Sequence, residues 1–412
     1  MKRGELTRRS ARPRAPGFTL VELMVAITVG LIVTLAVTGS VLTMGRQFKI
    51  VGANVAAQGS AQIALSLLDS AGRSAGAGFY NNGHLICPTW NAWNGTSVVS
   101  NGAAFMPARI VGGGSNTASD TIVFTGPTAA GALTAAPVMD TAAPGASVKV
   151  SNAGSVVLND LVLIGAPASG QPCTLFQVTA APVASVVCGG NANSCSVIAR
   201  ATNTTYNPIA GTFTTDPTFA FTVAAGVYGP AVISRVGNTT NGFVQDAFAV
   251  QCNALVRFNA FVNATVPACT AAPLSFGTGV DAIATDVMQM HAQYGISNTA
   301  DSDIVTSWVE PTGVWAYDTA LGTPSAANVA RIKAVRVVLV TRSKEPDATQ
   351  VSAPCTNAAT VANVGPCSFQ DAAAPVIDLS ATDVIAGKTW RNYRYRVHRA
   401  VIPLRNVIWS DS

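Results

Sequence analysis

The residue with the most constrained chemistry in this chain is Glu22. It stands inside the apolar run "FTLVELMVAITVGLIVTLAVTGSVLTM", residues 18–44. Such a run can span a bilayer, which takes about 20 apolar residues. A carboxylate in hydrocarbon costs roughly 2.5–3.5 kcal/mol on insertion scales. It needs a cation, or an interface to which its side chain can snorkel. Other reactive groups are sparse. Three histidines occur, His84, His291 and His398, with no pair at i+3 or i+4, so no helical metal-binding pair exists. There is no Gly-x-Ser-x-Gly elbow and no phosphate-binding Walker loop. The stretch "GAGFYN" begins like a dinucleotide fingerprint but lacks the third glycine and a preceding strand. The pairs Asp281/Asp286 and Asp301/Asp303 have no neighbour that marks them as a general acid and base. No catalytic residue, metal or cofactor is therefore assigned, and an enzyme is not expected.

Eight cysteines, Cys87, Cys173, Cys188, Cys195, Cys252, Cys269, Cys355 and Cys367, all follow the apolar run. An even count in an exported region reads as up to four disulfides. No Cys-x-x-Cys occurs, which argues against a redox motif or a zinc knuckle. The sequence-near pairs Cys252–Cys269 and Cys355–Cys367 are candidates. Among the other four the pairing is open, with Cys188–Cys195 the most local choice.

Charge is placed unevenly. The whole chain carries +5, with 49% hydrophobic and only 11% charged residues. Lys2, Arg3, Arg8, Arg9, Arg12 and Arg14 precede Gly17 and are opposed only by Glu5, so the excess lies there and the remainder is neutral. A neutral body gives no general attraction to nucleic acid, which is not expected as a partner. The basic cluster is a topology signal that keeps the N-terminus cytoplasmic. The apolar run is too long for an ordinary signal peptide and no Ala-x-Ala cleavage site follows it.

Residues 17–23, "GFTLVEL", follow a short basic leader and open the apolar helix. In this they resemble the class III signal of type IV pilins and type II secretion pseudopilins. The resemblance implies that a prepilin peptidase cuts between Gly17 and Phe18 and N-methylates Phe18, while the apolar segment is retained. Cleavage would create an α-amino group on Phe18, whose ordinary pKa of about 7.7–8.0 leaves it largely cationic at neutral pH. Glu22 then has a partner, its own amine or that of a neighbouring subunit, and an inter-subunit pair would set axial register during assembly.

The helical pattern continues beyond the membrane. Phe48, Val51 and Val55 share one face, and Ile63, Ala64, Leu67 and Leu68 form a second. A helix to about residue 71 would be about 80 Å long, with Gly72, Gly76 and Gly78 punctuating its end. Gly45, Gly52 and Gly59 recur every seven residues. They form either a seam for neighbouring helices or a simple loosening, at about 0.8–1.0 kcal/mol per glycine. In the pilin family the helix melts partly near the position of Gly39.

Beyond residue 79, short alternating or apolar runs lie between Gly, Asn, Pro and Ser. Strands are expected at 120–126, 160–167, 173–180, 254–262, 286–296 and 334–342. No later run is long enough for a second membrane helix. The C-terminal stretches "HAQYGISNTADSDIVTSWVEPTG", "RIKAVRVVLVTRS" and "WRNYRYRVHRAVIPLRN" resemble the tail of PilW-type minor pilins. That family's turn is often richer in Asp; here Asp301 and Asp303 alone remain, too few for calcium, which takes 6–8 oxygen ligands. In the last stretch Tyr393, Tyr395 and Val397 alternate with Arg394, Arg396 and His398, as in a half-buried strand with a basic outer face.

The expected fold is α+β. A long N-terminal pilin helix, with a membrane half and an amphipathic half, carries a large, disulfide-bonded, mainly antiparallel β head. The divisions are a removed leader at 1–17, a helix at 18–78 spanning the membrane at 18–44, a variable β-rich region at 79–276 and a C-terminal region at 277–412. The resemblance implies a minor pilin that primes type IV pilus assembly in the inner membrane and ends near the tip. The alternatives are a type II secretion pseudopilin and an anchored adhesin outside any filament. Implied partners are a prepilin peptidase, other minor pilins and the major pilin, the inner-membrane assembly platform and inner-membrane lipid.

Overall fold

The computed structural model describes residues 17, 19–77, 79–81, 84–126, 136–154, 156–166, 169–185, 188, 195–219, 231–240, 242–263, 265–271, 274–318, 322–382 and 384–408. Phe18 and the leader upstream of Gly17 lie outside these, as does Gly78, and so do the side chains of Val51 and Val55. The chain divides into two compact units, Met1–Val55 and Ala56–Ser412.

The first long element is α1, Leu20–Ser74. Its segment Leu20–Val41 has a mean hydropathy of 2.5, long and apolar enough to cross a membrane, and none of it is buried in the protein. The hydroxyls in this run are satisfied within the helix. Thr28 Oγ1 donates to the Met24 carbonyl at 3.1 Å, Thr34 to Gly30 at 2.9 Å and Thr38 to Thr34 at 2.7 Å. This back-bonding removes the polar penalty that a hydroxyl would otherwise face in hydrocarbon.

In the second unit the helix buries Ala61, Ala64 and Leu68, and Ala64 and Leu68 pack with Phe124, Phe248, Leu339 and Ile402. The buried face differs from the expected one. Ile63 is 59% exposed and Leu67 37% exposed. Positions 61, 64, 68, 72 and 75 follow the helical i+3/i+4 spacing, which puts 63 and 67 on another side. Gly72 does not end the helix; it is buried in it. A Cβ there would overlap Ile402 and meet the Phe124 ring at 3.2 Å. The helix stops two residues after Gly72, and Gly76 takes φ +77°, the left-handed conformation that favours glycine. Its N–H donates to the Thr125 carbonyl at 2.9 Å.

Eleven strands form the larger sheet among the described residues. They are β1 (Thr89–Trp93), β2 (Val98–Ala104), β3 (Ala108–Val111), β4 (Thr121–Gly126), β5 (Ala136–Pro137), β6 (Asp160–Gly165), β7 (Cys173–Gln177), β8 (Val232–Asn238), β9 (Gly242–Gln251), β10 (Ala254–Asn259) and β11 (Val280–Thr285). The main path runs β11-β10-β9-β8-β6-β7-β1-β2. Pairing is antiparallel except between β7 and β1. Hydrogen bonding between β10 and β11 carries the sheet across Gly277.

The second sheet has four antiparallel strands in the order β13-β12-β14-β15: β12 (Val287–Ile296), β13 (Ser307–Val309), β14 (Ile332–Arg342) and β15 (Tyr395–Pro403). All ten residues of β12 and the first ten of β14 are buried, so both faces of these central strands are covered. One face meets α1 and the larger sheet. The other, at Val338 and Val340, lies under Ile377 and Leu379 of the long connection 343–394. That connection is the strap of the C-terminal region.

The cysteines pair as Cys87–Cys173, Cys188–Cys195, Cys252–Cys269 and Cys355–Cys367. The first joins positions 86 residues apart beside an aromatic cluster in which Trp90 and Phe79 both meet Phe105, with ring centroids at 5.5 and 4.6 Å. The last closes a loop within the strap.

Candidate functional site

Two regions hold the residues singled out above. The first is the start of α1. Thr19 is the N-cap, and Glu22 lies three residues on. The Thr19 N–H and hydroxyl donate to Glu22 Oε2 at 3.4 and 3.3 Å, and the Glu22 N–H donates to Thr19 Oγ1 at 3.3 Å. This reciprocal arrangement is a capping box, which satisfies amides that the first helical turn leaves without partners. Glu22 therefore does structural work as well as carrying charge. The signal was present in the sequence as Thr-x-x-Glu ahead of an apolar run. Gly17 is exposed one residue before Phe18, whose own placement lies outside the described residues.

Farther along α1, a Cβ at Gly45 or Gly59 would meet nothing within 4 Å. Gly52 is helical too. Gly59, Ile63 and Leu67 fall at i, i+4 and i+8, and all three are exposed. This stripe is small and apolar and is left uncovered among the described residues.

The second region is the outer face of the four-stranded sheet. On β12, Met290, Ala292 and Tyr294 point to the core. The period of two then puts Gln289, His291 and Gln293 on the opposite face, and these are buried as well. At its centre is Arg336 on β14, 3% exposed. Its Nε donates to Gln293 Oε1 at 2.6 Å, Nη1 and Nη2 donate to the Asp371 carboxylate at 2.7 and 3.0 Å, and Nη2 donates to the Ala373 carbonyl at 3.0 Å. The guanidinium also lies over the Trp308 and Phe369 rings, at 4.8 and 4.5 Å from their centroids. One side chain thereby ties β12, β13 and the strap together.

Tyr294 and Gly295, the adjacent Tyr and Gly of the stretch "HAQYGISNTADSD", each have a physical role. Tyr294 is fully buried, and its hydroxyl accepts the Ile110 N–H at 2.5 Å. Burial pushes the phenol pKa well above its ordinary value. Gly295 pairs across the sheet with Trp308, and a Cβ there would stand 2.7 Å from the indole ring and 3.1 Å from Val305. Gly295→Ala is therefore expected to lower stability by about 1–3 kcal/mol, the usual cost of overpacking. Denaturant unfolding of the full chain measures this; an unchanged midpoint would show that the indole moves aside freely.

The turn with Asp301 and Asp303 has a cation supplied by the chain. Lys333, 1% exposed, brings its Nζ to 3.6 Å from Asp303 Oδ1. Basic residues of the last strand and of the strap just before it also make internal contacts. Arg394 pairs with Asp347 at 2.9 Å, Arg399 donates to the Ser368 and Cys367 carbonyls, and Lys388 donates to the Asp347 and Ala348 carbonyls at 3.4 and 3.3 Å. His398 sits 3.2 Å from Thr341 Oγ1, and burial with Arg396 nearby lowers its pKa. Tyr393 is buried and Arg394 and Arg396 are exposed, the expected alternation. No group of three or more His, Cys, Asp or Glu among the described residues is placed to hold a metal ion.

The Arg336 fork holds the Asp371 carboxyl below its ordinary range. The unfolded chain thus binds that proton more tightly. The stabilisation is full above the unfolded value of about 3.9 and declines as pH falls through the folded one. Protease cleavage within the strap is expected to rise below about pH 4, and Asp371→Asn is expected to flatten that dependence. An equally steep acid response in the variant would assign the transition to other carboxylates.

Comparison with known protein families matches residues 275–406 to type IV pilus-assembly protein W. Residues 12–38 match the prokaryotic N-terminal methylation motif. The chain carries both signatures of a PilW-type minor pilin. The PilW-type match takes in β11, the whole four-stranded sheet and the strap, so the Arg336 clamp and the Tyr294–Gly295 pair lie within it. Residues 39–274 fall under neither match. No curated protein and no solved structure matches the chain.

Proposed function

We propose that this chain is a minor pilin that primes type IV pilus assembly in the inner membrane and sits at or near the filament tip. One observation carries the reading. A pilus-assembly region occupies the C-terminal third of a chain whose other end carries a methylation motif and a helix whose apolar segment, Leu20–Val41, is not buried among the described residues. Such a helix needs lipid or other helices around it. In the membrane lipid covers it; in a filament the helices of other minor pilins and the major pilin do. The stripe at Gly59, Ile63 and Leu67 and the small residues Gly45 and Gly52 offer close approach to those neighbours. A prepilin peptidase would cut after Gly17 and methylate Phe18, leaving an ammonium beside Glu22, and the assembly platform would then receive the processed chain. The head would face the periplasm until assembly brings it to the cell surface. The tip position rests on bulk, since a head of this size fits an end more easily than a repeating lattice. The work is assembly, not catalysis.

Mass spectrometry of the mature protein and of sheared pili tests this reading. A chain beginning at N-methyl-Phe18 and present in sheared pili at far below one copy per major pilin is expected. An uncut leader would leave an anchored exoprotein. A processed chain absent from pili, in a deletion strain that still twitches but fails to export enzymes, would make it a secretion pseudopilin.

A further inference from the structure

One part of the strap is bonded to itself through its backbone and to the sheet below through side chains. Residues 355–379 close on themselves. Cys355 and Thr356 pair with Asn363 and Ala362, and the Cys355–Cys367 disulfide shuts that loop. The Val364 N–H donates to the Ile377 carbonyl at 3.0 Å, and the Leu379 N–H donates to the Val364 carbonyl at 2.9 Å. Asn357 Nδ2 donates to the Phe369 and Asp371 carbonyls, both at 3.0 Å, and Asn363 Oδ1 accepts the Ile377 N–H at 2.8 Å. Among the described residues, no backbone–backbone hydrogen bond joins this lobe to the four-stranded sheet. The legs of the strap are bonded to each other outside the lobe. The Asp347 N–H donates to the Asn392 carbonyl at 2.7 Å and the Val351 N–H to the Arg391 carbonyl at 2.8 Å.

The sheet holds the lobe with side-chain donors. Gln289 Nε2 donates to the Asp378 carbonyl at 2.5 Å. Gln293 Nε2 and Arg336 Nη2 donate to the Ala373 carbonyl at 2.5 and 3.0 Å, and Arg399 donates to the Ser368 and Cys367 carbonyls. Apart from the Arg336–Asp371 fork, these donors meet main-chain oxygens, whose place water can take. The apolar part of the contact is a short strip, in which Ile377 and Leu379 pack with Met288, Val338 and Val340. The other face of the same strands differs in kind. Met290, Tyr294, Val337 and Leu339 belong to the main apolar core with α1 and the larger sheet. Lifting the lobe hydrates amides, a guanidinium and that strip, whereas opening the opposite face hydrates the core itself. The outer face is therefore the one that opens first.

We propose that residues 355–379 are a lid that lifts as one body from the outer face of the sheet, while the sheet, the Cys355–Cys367 disulfide and the lobe's own hydrogen bonds stay intact. It uncovers a row of donors, Gln289, Gln293 and Arg336, beside the strip of Val338 and Val340. The device is independent of the pilus reading, because it needs only the folded head.

Single thiols on the two faces of β14 test this. Val338→Cys and Val340→Cys lie under the lobe, Val337→Cys lies on the core side, and all three positions are fully buried. The full chain in detergent micelles, with its four native disulfides verified by mass, is treated with iodoacetamide at neutral pH. Hydrogen exchange of the lobe is followed in parallel by mass spectrometry. A thiol under the lobe is expected to alkylate on the order of a hundredfold faster than the core-side thiol. The opening constant from alkylation should exceed that of the slowest lobe amides by on the order of tenfold or more, because those amides stay bonded when the lobe lifts. Equal alkylation on both faces would mean that only global unfolding exposes the sheet, and would overturn the proposal. Equal opening constants would mean that the lobe unravels rather than lifts, and would overturn it too. Two positions under the lobe keep the test decisive if one variant misfolds.

Discussion

Glu22→Ala should leave the protein cut and inserted in the membrane while lowering its recovery in sheared pili by on the order of tenfold or more, a ratio equal to about 1.4 kcal/mol. Two contributions are lost together. The side chain accepts from the Thr19 amide and hydroxyl and so holds the first turn of the helix. In the proposed mature chain it would also supply the negative charge that an ammonium on Phe18 requires in a membrane. Glu22→Gln separates the two. An amide oxygen can still complete a capping box, which tolerates either residue, but it cannot neutralise a cation. If charge drives assembly, Gln should fail nearly as badly as Ala. If Gln restores pili and Ala does not, the carboxylate is needed only as a cap. Normal yield from both variants would remove Glu22 from the mechanism. Immunoblots of membrane and sheared fractions give all three outcomes.

Arg336→Ala should destabilise the head by about 3 kcal/mol, in the range for breaking one partner of a buried charged pair. The loss is broad. Gln293 Oε1 and the Ala373 carbonyl lose a donor, and the Trp308 and Phe369 rings lose the plane between them. Asp371 is 46% exposed and can rehydrate, so Asp371→Ala should cost less. Arg336→Lys should recover little, because an ammonium cannot supply a planar fork to a carboxylate, an amide and a carbonyl together. Denaturant unfolding with the disulfides intact measures each variant. The strap should become protease-sensitive in Arg336→Ala before the sheet unfolds. A cost below about 1 kcal/mol would mean that the strand and strap contacts hold without the guanidinium.

Much of the plan was readable along the chain because it depends on near neighbours. The apolar run, the Gly-Phe junction and the carboxylate at Glu22 are local features, and so are the strands. "DTIVFTG" became β4, "ALVRFNAFV" contains β10, and "AVRVVLVTR" lies within β14. Short-loop cysteine pairs could be named for the same reason. Cys87–Cys173 could not, since its partners meet only after β1 and β7 align in parallel. The face of α1 that becomes core also needed the fold. Ile63 and Leu67 are as apolar as Leu68, and only the position of Phe124 and Ile402 decides which side is covered.

His291 makes the same point about burial. In sequence it is one histidine in an alternating strand, with nothing beside it to suggest a site. Asp120 lies 171 residues earlier and Glu310 19 later; sheet pairing and the loops that follow it bring the three to one cleft. The sequence by itself determined what could enter a membrane, what could be exported and where strands could form, because hydropathy and period are properties of contiguous residues. Tertiary structure alone decided which glycine touches a ring, which arginine is clamped and which histidine is buried beside a carboxylate, because those depend on groups distant in the chain and adjacent in space.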